Sequence, residues 1–139
     1  MLIEKQIKAT IENLALIEQL LEDLYSGGSI PEESFGNIIV ASTEAYLNAV
    51  NHGSKSDSSL KVDVRMECTS EYFEIMVKDQ GEGFDWNSLP DPTDPANLEK
   101  GNGRGIFIMK NLSDEIRFEE KGTRVVMRFH FAAQMHSGA

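Results

Sequence analysis

Cysteine is nearly missing. Cys68 stands alone among 139 residues, which excludes a disulfide framework and a cysteine-rich zinc site. No apolar run approaches the ~18 residues of a membrane span. The first ten residues, MLIEKQIKAT, hold no signal-peptide core, so the cytoplasm is the expected compartment. Basic residues are scarce: 13 Lys and Arg stand against 23 Asp and Glu, a formal net charge of −10. Residues 1–53 carry 8 acids and 2 bases, and residues 54–139 carry 15 acids and 11 bases, so acidity runs along the whole chain. A chain without a basic block lacks the phosphate-neutralising charge that nucleic-acid binding requires. If it holds an anion, it does so through backbone amides and a metal rather than lysine clusters. Histidine is absent before His52, and three of the four prolines crowd together at Pro90, Pro92 and Pro95.

What remains is ordinary for a globular chain: 40% hydrophobic and 26% charged residues. A chain of this length forms one domain and buries roughly two-thirds of its unfolded surface, so it folds without disulfides or metal. No repeat and no inter-domain linker interrupts it, so residues 1–139 are expected to act as one unit.

Periodicity gives the elements. Residues 2–9 alternate weakly and read as a short edge strand. Residues 11–25 place Ile11, Leu14, Ile17, Leu20, Leu21 and Leu24 at helical steps, and Gly27-Gly28 ends that helix. A second helix starts at Ser29-Ile30-Pro31-Glu32-Glu33, with Ser29 or Ile30 near the cap and Pro31 in the first turn, and runs to about Asn51. Leu60, Val62, Val64 and Met66 alternate strictly with polar residues, and so do Phe73, Ile75 and Val77, giving two strands joined by a tight turn near Thr69-Ser70. A long aperiodic stretch follows, expected to be a functional lid over about residues 84–102. Residues 106–112 read as a short helix behind glycines. Ile116 and Phe118 mark a third strand, and Lys121-Gly122 turns into a fourth with Val125, Met127, Phe129 and Phe131 on one face. The tail from Ala132 is expected to fray. The fold class that follows is an α/β (α+β) two-layer sandwich: helices on one face of a mostly antiparallel sheet.

Several residues could carry chemistry. At 100° per residue, Glu44, Asn48, Asn51 and His52 share about one-third of the second helix's circumference, with Phe35, Ile38, Ile39, Tyr46, Ala49 and Val50 roughly opposite. They form either an ordinary solvated face or a carboxylate and an amide oxygen facing a cleft. An amide oxygen suits Mg²⁺, which takes one or two protein ligands plus phosphates and water. Asp79 is in phase with Phe73, Ile75 and Val77 and points to the helix side, where an unpaired carboxylate is costly. Its partner is internal, or it is a ligand amine such as an adenine amino group. Thr123, in phase with Val125 and Met127, should reach the same layer. Gly81 and Gly83 allow close approach to a flat ring. Gly101, Gly103 and Gly105 precede a helix, where backbone amides suit phosphates; without a following Lys-Ser or Lys-Thr this is not a P-loop. Cys68 reads as a small strand-end residue, His130 as solvated, His136 as part of the tail, and Trp86 as a base-stacking residue or a pin for the lid.

The joint order is more specific than any one signal. Glu44-x3-Asn48-x3-His52-Gly53, Asp79-x-Gly81-x-Gly83, a lid, Gly101-x-Gly103-x-Gly105 and Gly122-Thr123 together resemble the nucleotide boxes of the GHKL ATP-binding superfamily over about residues 30–131. Within it, the segments 44–53 and 103–115 are similar to the serine kinases of bacterial partner-switching systems, the anti-sigma factor type. The resemblance implies the Bergerat ATP-binding fold, with ATP and Mg²⁺ as cofactors. It implies phosphorylation of a serine or threonine on a STAS-domain antagonist, possible capture of a sigma factor, possible homodimerisation, and neither nucleic acid nor membrane as partner. Residue by residue it implies Asn48 as the Mg²⁺ ligand and Glu44 as the base or nucleophile-orienting group. Asp79, Gly81, Gly83 and Thr123 would lie at adenine, and Gly101, Gly103 and Gly105 around the phosphates.

Two positions depart from that pattern. Glu18 stands where sporulation and stress relatives carry an arginine that docks the partner, which weakens the expectation of sigma-factor docking more than that of ATP binding. Arg104 is not the commonest residue in its box; it reaches the γ-phosphate or caps the lid. Three rival readings remain: the catalytic half of a histidine kinase, disfavoured because no histidine precedes His52; a non-catalytic nucleotide-gated anti-sigma module; and a stand-alone ATPase.

Overall fold

Strict alternation builds the centre of the sheet. In strand β2 (Lys61–Cys68) Val62, Val64, Met66 and Cys68 are buried, and in β3 (Tyr72–Lys78) Phe73, Ile75 and Val77 are. The computed structural model describes residues 1–53, 57, 59–81 and 101–132, the side chains of His52 and of residues 101–103 excepted. The lid, Gly83, Trp86 and His136 lie outside the described residues. Among those residues five strands form one sheet in the order β1-β2-β3-β5-β4, every pair antiparallel, with β1 at Leu2–Lys8, β4 at Glu115–Glu119 and β5 at Arg124–His130. Three α-helices, α1 (Leu14–Ser26), α2 (Glu32–Asn48) and α3 (Gly101–Leu112), supply the second layer. Ile17, Leu21, Ile38, Tyr46, Ile106 and Met109 from the helices share one core with the inward residues of the sheet. The sandwich expected from the sequence is the one observed.

The opposite face of the sheet is polar. Glu67, Glu74, Arg128 and Glu115 stand in one cross-strand row. Arg128 offsets the acids: its Nε and Nη2 donate to Glu74 Oε1 at 3.1 and 2.9 Å, and its guanidinium lies 3.9 Å over the Tyr72 ring. On edge strand β1, Lys5 sits opposite Val64 on the helix side and stays exposed. A charge at that place discourages further strand pairing and explains the weak alternation of this segment.

Element ends differ from expectation in three places. A 3-10 turn, Ile11–Asn13, precedes α1. Pro31 is the N-cap of α2, with an extended ψ of 149°, rather than part of its first turn. Helix α3 already begins at Gly101, so the glycines lie inside it. Low glycine propensity makes this run look like a loop, but burial of Ile106 and Met109 beside α2 carries the helix back through it.

Candidate functional site

Packing sets the rotation of α2. Ile38, Ala41, Ser42, Ala45 and Tyr46 are buried, and the Tyr46 hydroxyl donates to the Thr10 carbonyl at 2.7 Å. Glu44 and Asn48 therefore fall on an adjoining strip, one turn apart and half-buried. Among the described residues neither side chain has a hydrogen-bond partner. Past Asn48 the helix widens into a π turn, Ala49–Gly53, a feature that recurs at functional sites. Asn51 in that turn is exposed.

Asp79 continues the inward phase of β3 one residue beyond its end and is only 6% exposed. Its Oδ1 accepts from the Gly81 N–H at 2.7 Å, and its own N–H donates to the Thr123 carbonyl at 2.9 Å. Burial pushes its carboxyl above the ordinary range, and the Gly81 N–H partly offsets that. Its Oδ2 accepts no hydrogen bond among the described residues, which leaves an acceptor for a donor from outside.

Two glycines close around this carboxylate. A β-carbon on Gly53 would stand 2.2 Å from Asp79 Cγ, and one on Gly81 would stand 1.8 Å from the Gly53 carbonyl oxygen. A side chain at Gly53 would have to displace the Asp79 carboxyl, and one at Gly81 the Gly53 backbone. Asp79 and Asn48 line one narrow cleft that opens to solvent between Ala45, Ala49, Val77, Phe118 and Val125 and has room for about one water as it stands. Apolar side chains around one buried acceptor are the kind of lining that receives an amine-bearing heterocycle, which needs a wider cleft than this one.

Thr123 also lines the cleft, but its hydroxyl does not point free into it. Glu120, Lys121 and Gly122 take φ of 50°, 59° and 84°, so the chain is in a left-handed turn and β5 begins only at Arg124. Thr123 Oγ1 donates to the Glu120 carbonyl at 2.8 Å, while the residue reaches the same layer as Asp79.

The glycines of α3 divide. The N–H groups of Gly101, Asn102 and Gly103 lie in the first turn, lack intrahelical i→i−4 partners and suit an anion. Arg104 is exposed there. Gly105 lies past that set and is buried; a β-carbon on it would stand 3.2 Å from Glu44 Oε1. Gly105 thus sits beside the Glu44 carboxylate, one turn into the helix from Gly101. In the sequence Gly53 closes the box Asn48-x3-His52-Gly53 without a task of its own; its packing against Asp79 supplies one.

The other candidates are structural. Cys68 is buried at the end of β2, its thiol pushed up by burial and bonded to the Ser29 carbonyl at 3.3 Å. His130 is exposed and pairs with Glu115 at 2.5 Å. Among the described residues no cluster of three His, Cys, Asp or Glu could hold a metal, and no helix is long and apolar enough to cross a membrane.

This antiparallel sheet with helices on one face is an α/β sandwich, and the chain belongs to the histidine kinase-like ATPase domain family, whose model matches residues 7–129. Membership carries ATP as the family's nucleotide and bears out the superfamily resemblance drawn from the motifs. At closer range the chain is similar to proteins named Serine-protein kinase RsbW. It is 25% identical to the Oceanobacillus iheyensis protein over 138 residues, covering 95% of this chain and 87% of that one. It is 28% identical to the Staphylococcus epidermidis protein over 134 residues, covering 90% and 84%. Among solved structures, the crystal structure of the RsbU and RsbW domains of a Mycobacterium tuberculosis protein aligns with a TM-score of 0.62 at 18% identity, over 94% of this chain and 32% of that one. That likeness is one of fold.

Proposed function

We propose that the chain is an ATP- and Mg²⁺-dependent protein serine/threonine kinase, acting in the cytoplasm as one domain on a STAS-domain anti-sigma antagonist. The observation that carries the nucleotide half is Asp79: a buried carboxylate whose Oδ2 accepts no hydrogen bond among the described residues, lining a cleft shared with Asn48. The serine/threonine half is supported by the similarity to serine-protein kinases.

Each residue then has a task. Asp79 accepts the adenine amino group, and Gly81 holds the carboxylate. Thr123 contributes backbone and methyl to the wall. The amides of the first α3 turn, with Gly101 and Gly103, receive phosphate oxygens, and Arg104 lies at their margin. Asn48 offers a neutral, half-buried amide oxygen without another partner among the described residues, which fits Mg²⁺. The ion supplies charge neutralisation on the phosphates, the main requirement of phosphoryl transfer. Glu44 takes the proton of the acceptor hydroxyl or orients it.

The test is incubation with radiolabelled ATP and a panel of STAS-domain proteins. Phosphoserine or phosphothreonine on a STAS protein supports the kinase. Phosphate released without a partner supports a stand-alone ATPase, and neither outcome supports a nucleotide-gated binding module. A pull-down with and without ATP reads sigma-factor capture, which Glu18 argues against, and light scattering reads the homodimer.

A further inference from the structure

We propose that Gly53 is a specificity-determining positioning residue: by carrying no side chain it seats the Asp79 carboxylate, and so sets the preference for an amino-bearing purine over an oxo-bearing one. The inference deepens the nucleotide reading above and rests on it. The Asp79 side chain makes one hydrogen bond among the described residues, from Gly81 N–H to Oδ1, which alone leaves the placement of Oδ2 open. Packing closes it. The end of the π turn lies directly against the carboxyl, since a β-carbon on Gly53 would stand 2.2 Å from both Cγ and Oδ2 and 2.6 Å from Oδ1. The Gly53 carbonyl in turn rests against Gly81, where a β-carbon would stand 1.8 Å away. Gly53 thus spaces the end of β3 from the end of α2 and lies against the carboxyl group, nearer Oδ2 than Oδ1.

The chemistry follows from the seat. An amine on the purine donates to Oδ2, whereas an oxo group brings a second acceptor against it. A site built to satisfy one hydrogen-bonding group rejects the analogue that lacks it, because its own polar atom is left unpaired. That rejection needs a fixed acceptor. A displaced carboxylate loses the amine contact but has nothing to lose toward an oxo group.

Calorimetry with ATP and with GTP, both with Mg²⁺, provides the test. Gly53→Ala should weaken ATP binding by about tenfold or more while GTP binding stays as weak as in the wild type, so the ATP/GTP ratio collapses. Equal weakening of both nucleotides, or no change in either, overturns the proposal, since a merely structural glycine would not move the ratio. A cycle of thermal melts guards against a variant that folds poorly. The Tm loss caused by Gly53→Ala should be much smaller in the Asp79→Ala background, where the colliding carboxyl is gone. Equal losses in the two backgrounds overturn the contact. A wild type that binds neither nucleotide overturns the nucleotide reading and the specificity role with it, while the melting cycle still judges the Gly53–Asp79 seat by itself.

Discussion

Glu44 and Gly105 meet where α2 and α3 pack: a β-carbon on Gly105 would stand 3.2 Å from Glu44 Oε1. The carboxylate that the kinase reading makes a base is therefore located by the helix whose first turn offers the phosphate amides. On the proposed kinase reading, acceptor side and phosphate side meet in this one helix–helix contact.

Gly105→Ala exploits that contact. Alanine favours the helix over glycine by roughly 0.5–1 kcal/mol, so the fold should survive. The added methyl lies tighter against Oε1 than ordinary packing allows and moves it by a few tenths of an ångström. Misplacement on this scale commonly costs a large share of a reaction that depends on positioning, and transfer to the acceptor should fall about tenfold or more. ATP affinity should stay unchanged, because Gly105 is not among the free amides. Calorimetry beside a phosphotransfer assay reads the split; parallel loss of both would return Gly105 to the phosphate site.

Tyr46→Phe tests what holds α2 in rotation. The substitution removes the hydroxyl that bonds the Thr10 carbonyl at 2.7 Å in a fully buried side chain. Stability should drop by about 0.5–1.5 kcal/mol, the net worth of such a bond. Urea unfolding measures it, with ATP affinity as the control that should not change.

How much of this was legible follows from which features leave a period. The inward phase of Asp79 could be read because Phe73, Ile75 and Val77 set it up directly before, and the sheet confirms their burial. The side of α2 that faces the core was legible for the same reason. The internal bond of the Thr123 hydroxyl to the Glu120 carbonyl was not, because the left-handed turn at Glu120, Lys121 and Gly122 that brings the two together writes no period. The start of α3 was hidden by glycines, whose propensity argues for a loop while the burial of Ile106 and Met109 argues for a helix. The Gly53–Gly81 approach joins two backbones from distant parts of the chain, and a missing side chain writes no pattern.

Asp79→Asn should separate stability from binding. Burial raises the Asp79 carboxyl above its ordinary value of 3.8. In the window between that value and the raised one, the folded state holds the proton more tightly than the unfolded chain does. Stability therefore falls as pH rises through the window, and above it the full penalty remains. Without nucleotide, Asp79→Asn should melt higher than the wild type near neutral pH, and the gap should close as pH drops below 3.8. The same change should weaken ATP binding by about 1–3 kcal/mol, the range for a disrupted hydrogen bond to a charged group. Melting curves across pH and calorimetry check the two halves. A gap that ignores pH would show that charge burial is not its cause.

The last prediction concerns the division of labour along α2. Glu44 and Asn48 stand one turn apart, both half-buried, yet the proposed reaction gives them different tasks. Asn48 meets the metal side of the nucleotide, so Asn48→Ala should lose Mg²⁺-dependent binding and transfer together. Glu44 meets the acceptor hydroxyl, which is absent until the protein substrate docks. Glu44→Gln keeps the size and an oxygen but removes the base. It should bind ATP nearly as well as the wild type and transfer phosphate about 10²–10⁴-fold more slowly, the usual share of general base catalysis. Docking needs no proton transfer, so this variant should still retain its protein partner in a pull-down. Intact transfer by Glu44→Gln would reduce Glu44 to a helix-face carboxylate packed on Gly105, and the base would have to be sought elsewhere. Loss of ATP binding by the same variant would instead place Glu44 on the nucleotide side, beside Asn48.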